Sequence, residues 1–169
     1  KKLEQTINFI NSEFKNDFGL YGSAYDADSD GVEGKYYVWN YLELKSTLGP
    51  KFNLFAKKYI LKEEGNFEGN NILIENKSHL SDEETEEIFN IEKTLLDQRK
   101  ERAKPLFDDK SQTDQNCFLL ETLLFSSLVT DNEDLKQNTF ASINILEKYL
   151  SDKIFHCYQD TEIDAFLED

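Results

Sequence analysis

The feature that most constrains this chain is the run at residues 25–39, Tyr-Asp-Ala-Asp-Ser-Asp-Gly-Val-Glu-Gly-Lys-Tyr-Tyr-Val-Trp. Four carboxylates, Asp26, Asp28, Asp30 and Glu33, lie within eight residues, punctuated by Gly31 and Gly34. Glycine lets the backbone reach positive φ in a tight loop. Residues 35–39 are aromatic and β-branched, a composition that favours a strand. Residues 19–25 also read as extended. The pattern predicts a β-hairpin with a dense acidic loop at its tip or flank, and helix pairs elsewhere.

With 169 residues, the chain is long enough to bury a core of its own as one domain. Only two Pro and seven Gly suit a helix-rich chain. A net charge of −15 argues against nucleic acid and against docking on an anionic membrane. It leaves a cationic, metal or neutral polar partner open, and it serves solubility. Cys117 and Cys157 stand far apart with no Cys-x-x-Cys motif, and read as free thiols in a reducing, cytoplasmic setting. No apolar run is long enough for a membrane span, and no signal peptide is visible. Methionine is absent, and residues 165–169 read as the start of a helix. Both ends suggest a piece of a longer protein.

Periodicity predicts a mainly α chain. Leu3, Ile7, Ile10 and Phe14 give residues 1–15 one apolar helical face. Residues 41–48 form a short helix stopped by Gly49-Pro50, and 51–60 form another with Phe52, Phe55 and Tyr59 on one face. Residues 64–71 are turn-rich and 72–74 read as a strand. Ser81, with Glu84 three residues on, is a capping box for a helix over 82–103, ended by Pro105. After a polar loop at 107–115, a mostly apolar helix over 115–130 is expected to be buried on most sides. Thr113 or Asp114 is its expected cap. Residues 133–150 form an amphipathic helix and 154–158 an extended piece. Apolar helices alternating with amphipathic ones suggest inner and outer layers of stacked hairpins.

Four segments carry a family resemblance: residues 25–39, Gly-Asn-Phe-Glu-Gly-Asn-Asn-Ile-Leu at 65–73, residues 99–116 from Arg99 to Asn116, and Phe-Leu-Glu-Asp at 166–169. Together they resemble the thioredoxin-containing, spermatogenesis-associated protein family, long described as a domain of unknown function. The resemblance implies a partial (α/α)6 toroid, related in shape to six-hairpin glycosidases and N-acylglucosamine 2-epimerases. The chain would be the middle of that toroid, without the thioredoxin-like domain. It carries about half the helices that a closed ring needs. Gln115 stands where the family usually has Trp, and Cys117-Phe118 also departs from the family pattern.

Several residues have chemistry to offer. Asp26, Asp28, Asp30 and Gly31 match the first half of a calcium loop, although its twelfth position holds Tyr37 rather than a bidentate Glu. The same residues can instead form an Asx-rich turn, or a polar loop facing the toroid's central pocket, as the resemblance implies. Asp26 or Asp28 paired with Asp108, Asp109 or Asp114 could perform acid–base glycoside chemistry. A separation of about 5 Å would give retention and about 6.5–9.5 Å inversion. Epimerases of the implied fold use histidines as acid and base. His156 is better placed than His79 for that task.

For ligand binding, the candidates are Glu33, Tyr37, Trp39, Arg102, Asp108, Asp109, Lys110 and Asn116. Arg99, Arg102, Asp108, Asp109 and Lys110 surround Pro105, and would suit an anionic sugar or an internal ion-pair network. Strand alternation would put Tyr37 and Trp39 on one face and Tyr36 on the other. The expected function is a carbohydrate-active or small polar ligand-binding domain, with sugar epimerisation or glycoside hydrolysis as its chemistry. The alternative is a non-catalytic helical scaffold that binds a protein partner. Apolar helix faces left uncovered would drive self-association.

Overall fold

A computed structural model describes residues 2–150, 154–158 and 163–165. The chain is mainly α. In order, its elements are α1 (Lys2–Glu13), β1 (Ala24–Tyr25), β2 (Asp28–Ser29), β3 (Val32–Glu33), α2 (Tyr41–Leu48), α3 (Phe52–Lys58), β4 (Tyr59–Ile60), β5 (Ile74–Glu75), α4 (Asp82–Lys100), β6 (Phe107–Asp108), β7 (Ser111–Gln112), α5 (Thr113–Val129), α6 (Glu133–Leu150), β8 (Phe155–Tyr158) and β9 (Ile163–Asp164). They divide into two compact units, Lys1–Tyr25 with Phe107–Asp169, and Asp26–Leu106. None of the described helices is long and apolar enough to cross a membrane.

The first unit is built on α5 and α6, which pack on each other. Ile7, Leu20, Tyr21, Leu120, Leu123, Leu135 and Leu146 form its core. Each such side chain contributes about 1.5–3 kcal/mol on burial. Buried hydroxyls on these helices are satisfied by nearby carbonyls: Ser127 donates to Leu124 at 2.7 Å and Thr139 to Leu135 at 2.7 Å. Ser142 reaches the carbonyl of Gly19, also at 2.7 Å. Strands β1 and β6 pair antiparallel, and β7, β8 and β9 form a second small sheet. Helix α5 departs from the expected burial. Helix α5 is not buried on most sides, because Phe118 is 75% exposed and Phe125 67%, with Leu128 and Val129 beside them. A mostly apolar helix whose polar residues fall on both sides gives its period no means of choosing a face.

The second unit begins with the acidic hairpin. Asp28 pairs with Glu33 and Ser29 with Val32. The two-residue connection, Asp30-Gly31, has φ of 52° and 71°. Two central residues at positive φ are the mark of a type I′ turn, whose twist matches that of the flanking strands. Residues 35–39 are not the aromatic strand expected from composition. Gly34, at φ 69°, turns the chain, and Tyr37 and Val38 N–H groups both donate to its carbonyl at 2.8 and 3.1 Å. Tyr36 and Trp39 are therefore buried while Tyr37 is 47% exposed, the reverse of a strand's alternation. Trp39 keeps one ladder step, exchanging 2.9 and 2.7 Å bonds with Asn71.

Asn40 caps α2, its side-chain oxygen accepting from Leu42 and Glu43 N–H. Gly49-Pro50 does not end the helical path but passes through a 3₁₀ turn, Gly49–Lys51, into α3. Helix α4 carries the expected capping box, Ser81 accepting from Glu84 N–H at 3.2 Å and Glu84 accepting from Ser81 N–H at 3.0 Å. The core is Trp39, Leu44, Leu48, Phe52, Phe55, Ile91 and Leu95. Beside it, the Tyr59 hydroxyl donates to Glu92 at 2.8 Å and Lys58 donates to the same oxygen at 2.6 Å. Burial first, then the bond to Glu92, pushes the Tyr59 phenol up to about 12. Burial alone would lower Lys58, but its bond to Glu92 and the neighbouring Tyr59 and Glu92 charges raise it on balance.

Candidate functional site

The second unit holds a cavity of about 270 Å³. Three walls form it. The first is the acidic hairpin, contributing Ser29, Asp30, Val32 and Glu33. Asp26 accepts from Asp28 N–H at 3.1 Å, an Asx turn leading into β2. The Ser29 hydroxyl bonds the Ala103 carbonyl and ties the hairpin to the end of α4.

The second wall is the turn that follows Gly34, braced by Arg102. The guanidinium donates to the carbonyls of Tyr36 at 3.1 Å and Val38 at 2.7 Å, and to the Glu43 carboxylate at 3.0 Å. It also lies 4.0 Å from the centre of the Trp39 ring. A planar, permanently charged fork suits this combination of stacking and several acceptors. One helix turn earlier, Arg99 lies over the rings of Tyr36 and Tyr37 at 5.5 and 5.6 Å. Its Nε is buried without a partner among the described residues.

The third wall is a second small turn. Phe67 and Asn70 exchange backbone bonds of 3.0 and 2.8 Å. Between them Glu68 and Gly69 take φ of 46° and 76°. This repeats the construction of Asp30-Gly31: an acid in the left-handed region, then a glycine, at the tip of a two-residue loop. Glutamate visits that region at a cost of about 1–2 kcal/mol. Phe67 packs toward Gly34, where an added Cβ would sit 3.4 Å from the ring.

The residues expected from sequence divide between the units. Asp26, Asp28, Glu33, Tyr37, Trp39 and Arg102 lie in the second; Asp108, Asp109, Lys110, Asp114, Asn116 and His156 lie in the first. The acid–base pairs drawn from Asp26 or Asp28 with Asp108, Asp109 or Asp114 thus take one member from each unit. Glu33 and Arg102 line the cavity. Trp39 is buried beneath Arg102.

In the first unit, Asp108 makes a 3.1 Å ion pair with Lys110. Asp109 lends its carbonyl to Asn16 at 2.9 Å. Asp114 accepts from Gln115 N–H at 2.7 Å, while the cap position of α5 is taken by Gln112. Asn116 is 1% exposed. Its amide clamps the backbone of Tyr21, accepting from N–H and donating to C=O at 2.9 Å each, and donates again to the Gln112 carbonyl. His156 Nε2 lies 3.5 Å from Gln112 Nε2. Cys117 is exposed and Cys157 buried, both as thiols.

The calcium reading of Asp26, Asp28 and Asp30 meets a different arrangement. Asp30 forms a 2.9 Å ion pair with Lys35 and Asp26 turns to the backbone. Among the described residues no three metal-ligating side chains converge.

Sequence reasoning missed Phe67, Glu68, Asn70, Asn40 and Glu43 as cavity walls. Two signals were present: Glu68-Gly69 parallels Asp30-Gly31, and Asn40 with Glu43 three residues on has the spacing of a helix cap. No family model matches the chain, and no curated protein matches it.

Proposed function

We propose that the chain is part of a helical toroid of the thioredoxin-containing, spermatogenesis-associated kind, and that the cavity of its second unit binds a carbohydrate or another small polar ligand. The observation that carries this reading is the cavity's composition. Two acidic turn tips, Asn40, Asn70 and Phe67 line one space. Sites for small polar ligands combine an apolar face with a few convergent polar groups. The bonds from Arg102 to two carbonyls and a carboxylate preorganise one wall, which lowers the cost of ordering on binding. If the ligand is turned over, the chemistry is acid–base, sugar epimerisation or glycoside hydrolysis, with Glu33 and Glu68 as the carboxylates nearest to hand.

The test is a thermal-shift series of the protein with monosaccharides. A ligand at a hundred times its Kd should add about 2.7 kcal/mol. A Phe67→Ala variant should lose most of that gain while keeping its helical circular dichroism. No shift with any sugar would end the proposal.

A second reading, a scaffold for a protein partner or for a second copy, draws on the exposed face of α5, where Phe118, Phe125, Leu128 and Val129 meet solvent. Exposed large apolar side chains gathered on one helix can mark an interaction site.

A further inference from the structure

We infer that the cavity of the second unit selects a ligand bearing a free primary amine, an amino sugar being the form that fits the proposed carbohydrate reading, on which this inference rests. Six charged side chains line the cavity: Asp30, Glu33, Glu43, Glu68, Lys35 and Arg102. Four cancel in pairs. Asp30 and Lys35 lie 2.9 Å apart, and Glu43 and Arg102 3.0 Å apart. Arg102 is further committed to the carbonyls of Tyr36 and Val38. It cannot turn to an anion without breaking the wall it holds. Glu33 and Glu68 remain, on different walls, and neither makes an ion pair among the described residues.

The cavity therefore presents an excess of two negative charges, inside a chain whose net charge of −15 adds a field of the same sign. An ammonium group gains from both carboxylates, and Phe67 in the cavity wall is an aromatic partner for a cation–π contact. A neutral acetamide on the same sugar ring gains neither, and a carboxylate is repelled. The volume of about 270 Å³ sits at the small end of ligand sites and suits one ring rather than a chain of them.

Isothermal titration of the whole chain with glucosamine, N-acetylglucosamine, glucose, glucuronate and putrescine tests the inference at low and at physiological salt. Glucosamine should bind at least tenfold more tightly than N-acetylglucosamine. That ratio should shrink with salt, because the screening length falls to about 8 Å. It should fall to within twofold in the E33Q/E68Q double variant, whose fold is checked by circular dichroism, and single variants should each lose part of it.

Equal binding of glucosamine and N-acetylglucosamine would overturn the amine preference and leave the carbohydrate reading standing. Putrescine binding without any sugar would uphold the amine preference and remove the carbohydrate reading. Tightest binding of glucuronate, or no binding by any probe, would overturn the inference.

Discussion

Each unit is pinned by one buried asparagine, and the two asparagines organise different things. In the first, Asn116 on α5 grips the N–H and C=O of Tyr21, holding an extended segment against a helix. In the second, Asn71 grips the N–H and C=O of Lys62 at 2.8 and 3.0 Å while its own backbone pairs with Trp39. An amide can imitate one step of a β-ladder, satisfying a donor and an acceptor together, wherever the chain has no strand to do so. In the first unit that clamp serves a helix layer with an open apolar face. In the second it joins Trp39, on the path that leads from the acidic hairpin to α2, to the loop that carries Phe67 and Glu68. One device thus supports a packing surface in one unit and a polar cavity in the other.

The contrast between the units rests most directly on the two asparagine clamps. Asn116→Ala and Asn71→Ala each strand a buried donor and acceptor, at about 1–3 kcal/mol per group. Each should lose about 3 kcal/mol in urea unfolding. Only Asn71→Ala should also weaken ligand binding at sub-denaturing urea; equal weakening by Asn116→Ala would erase the contrast between the units.

Arg102→Lys comes next. A lysine keeps the charge but loses the stack on Trp39 and the fork to several acceptors. The expected loss is about 2 kcal/mol, with reduced ligand affinity, and Arg102→Met should do no better. A lysine variant as stable as the parent would show that charge alone braces the turn.

A smaller effect is a loss of stability at high pH. The Tyr59 phenol deprotonates at about 12 in the fold and near 10 in the unfolded chain. Its contribution is therefore whole below about pH 10 and is lost as pH rises toward 12. Lys58, raised in the same cluster, acts in the same direction. Alkaline titration of stability should show this loss, and E92Q should reduce it in part by removing the carboxylate charge, the burial of the phenol remaining.

The smallest effect belongs to α5. Phe118→Ser and Phe125→Ser sit on the exposed face, and should change monomer stability by no more than about 0.5 kcal/mol. If that face pairs two copies, sedimentation velocity will show the double variant dissociating at concentrations where the parent stays associated.

Much of the local structure was legible. Ser81 and Glu84 form the box their spacing implied, and α2 spans the residues its pattern marked, but the expected hairpin of 19–25 with 35–39 does not form: the acidic run pairs on itself and β1 pairs with β6. The box and the helix depend on contacts within a few residues. The site was legible only in part. Glu33 and Arg102 reach the cavity, but Arg102 faces carbonyls that composition could not supply. Trp39 reads as a stacking ring and is instead the floor beneath a guanidinium. Phe67 and Glu68 were hidden because their wall depends on a turn meeting another turn more than thirty residues away.

What the sequence determined by itself is the helical content, the caps and the positions of the tight acidic turns, since propensity, hydrogen bonding to near neighbours and glycine's freedom act over a few residues. The tertiary structure alone decided which face of the mostly apolar α5 is covered, that residues 35–39 turn rather than extend, and which carboxylates share a cavity. Those outcomes rest on partners distant along the chain, such as Asn71 for Trp39 and Arg102 for the carbonyls of Tyr36 and Val38. A local pattern has no term for a partner that only folding brings near.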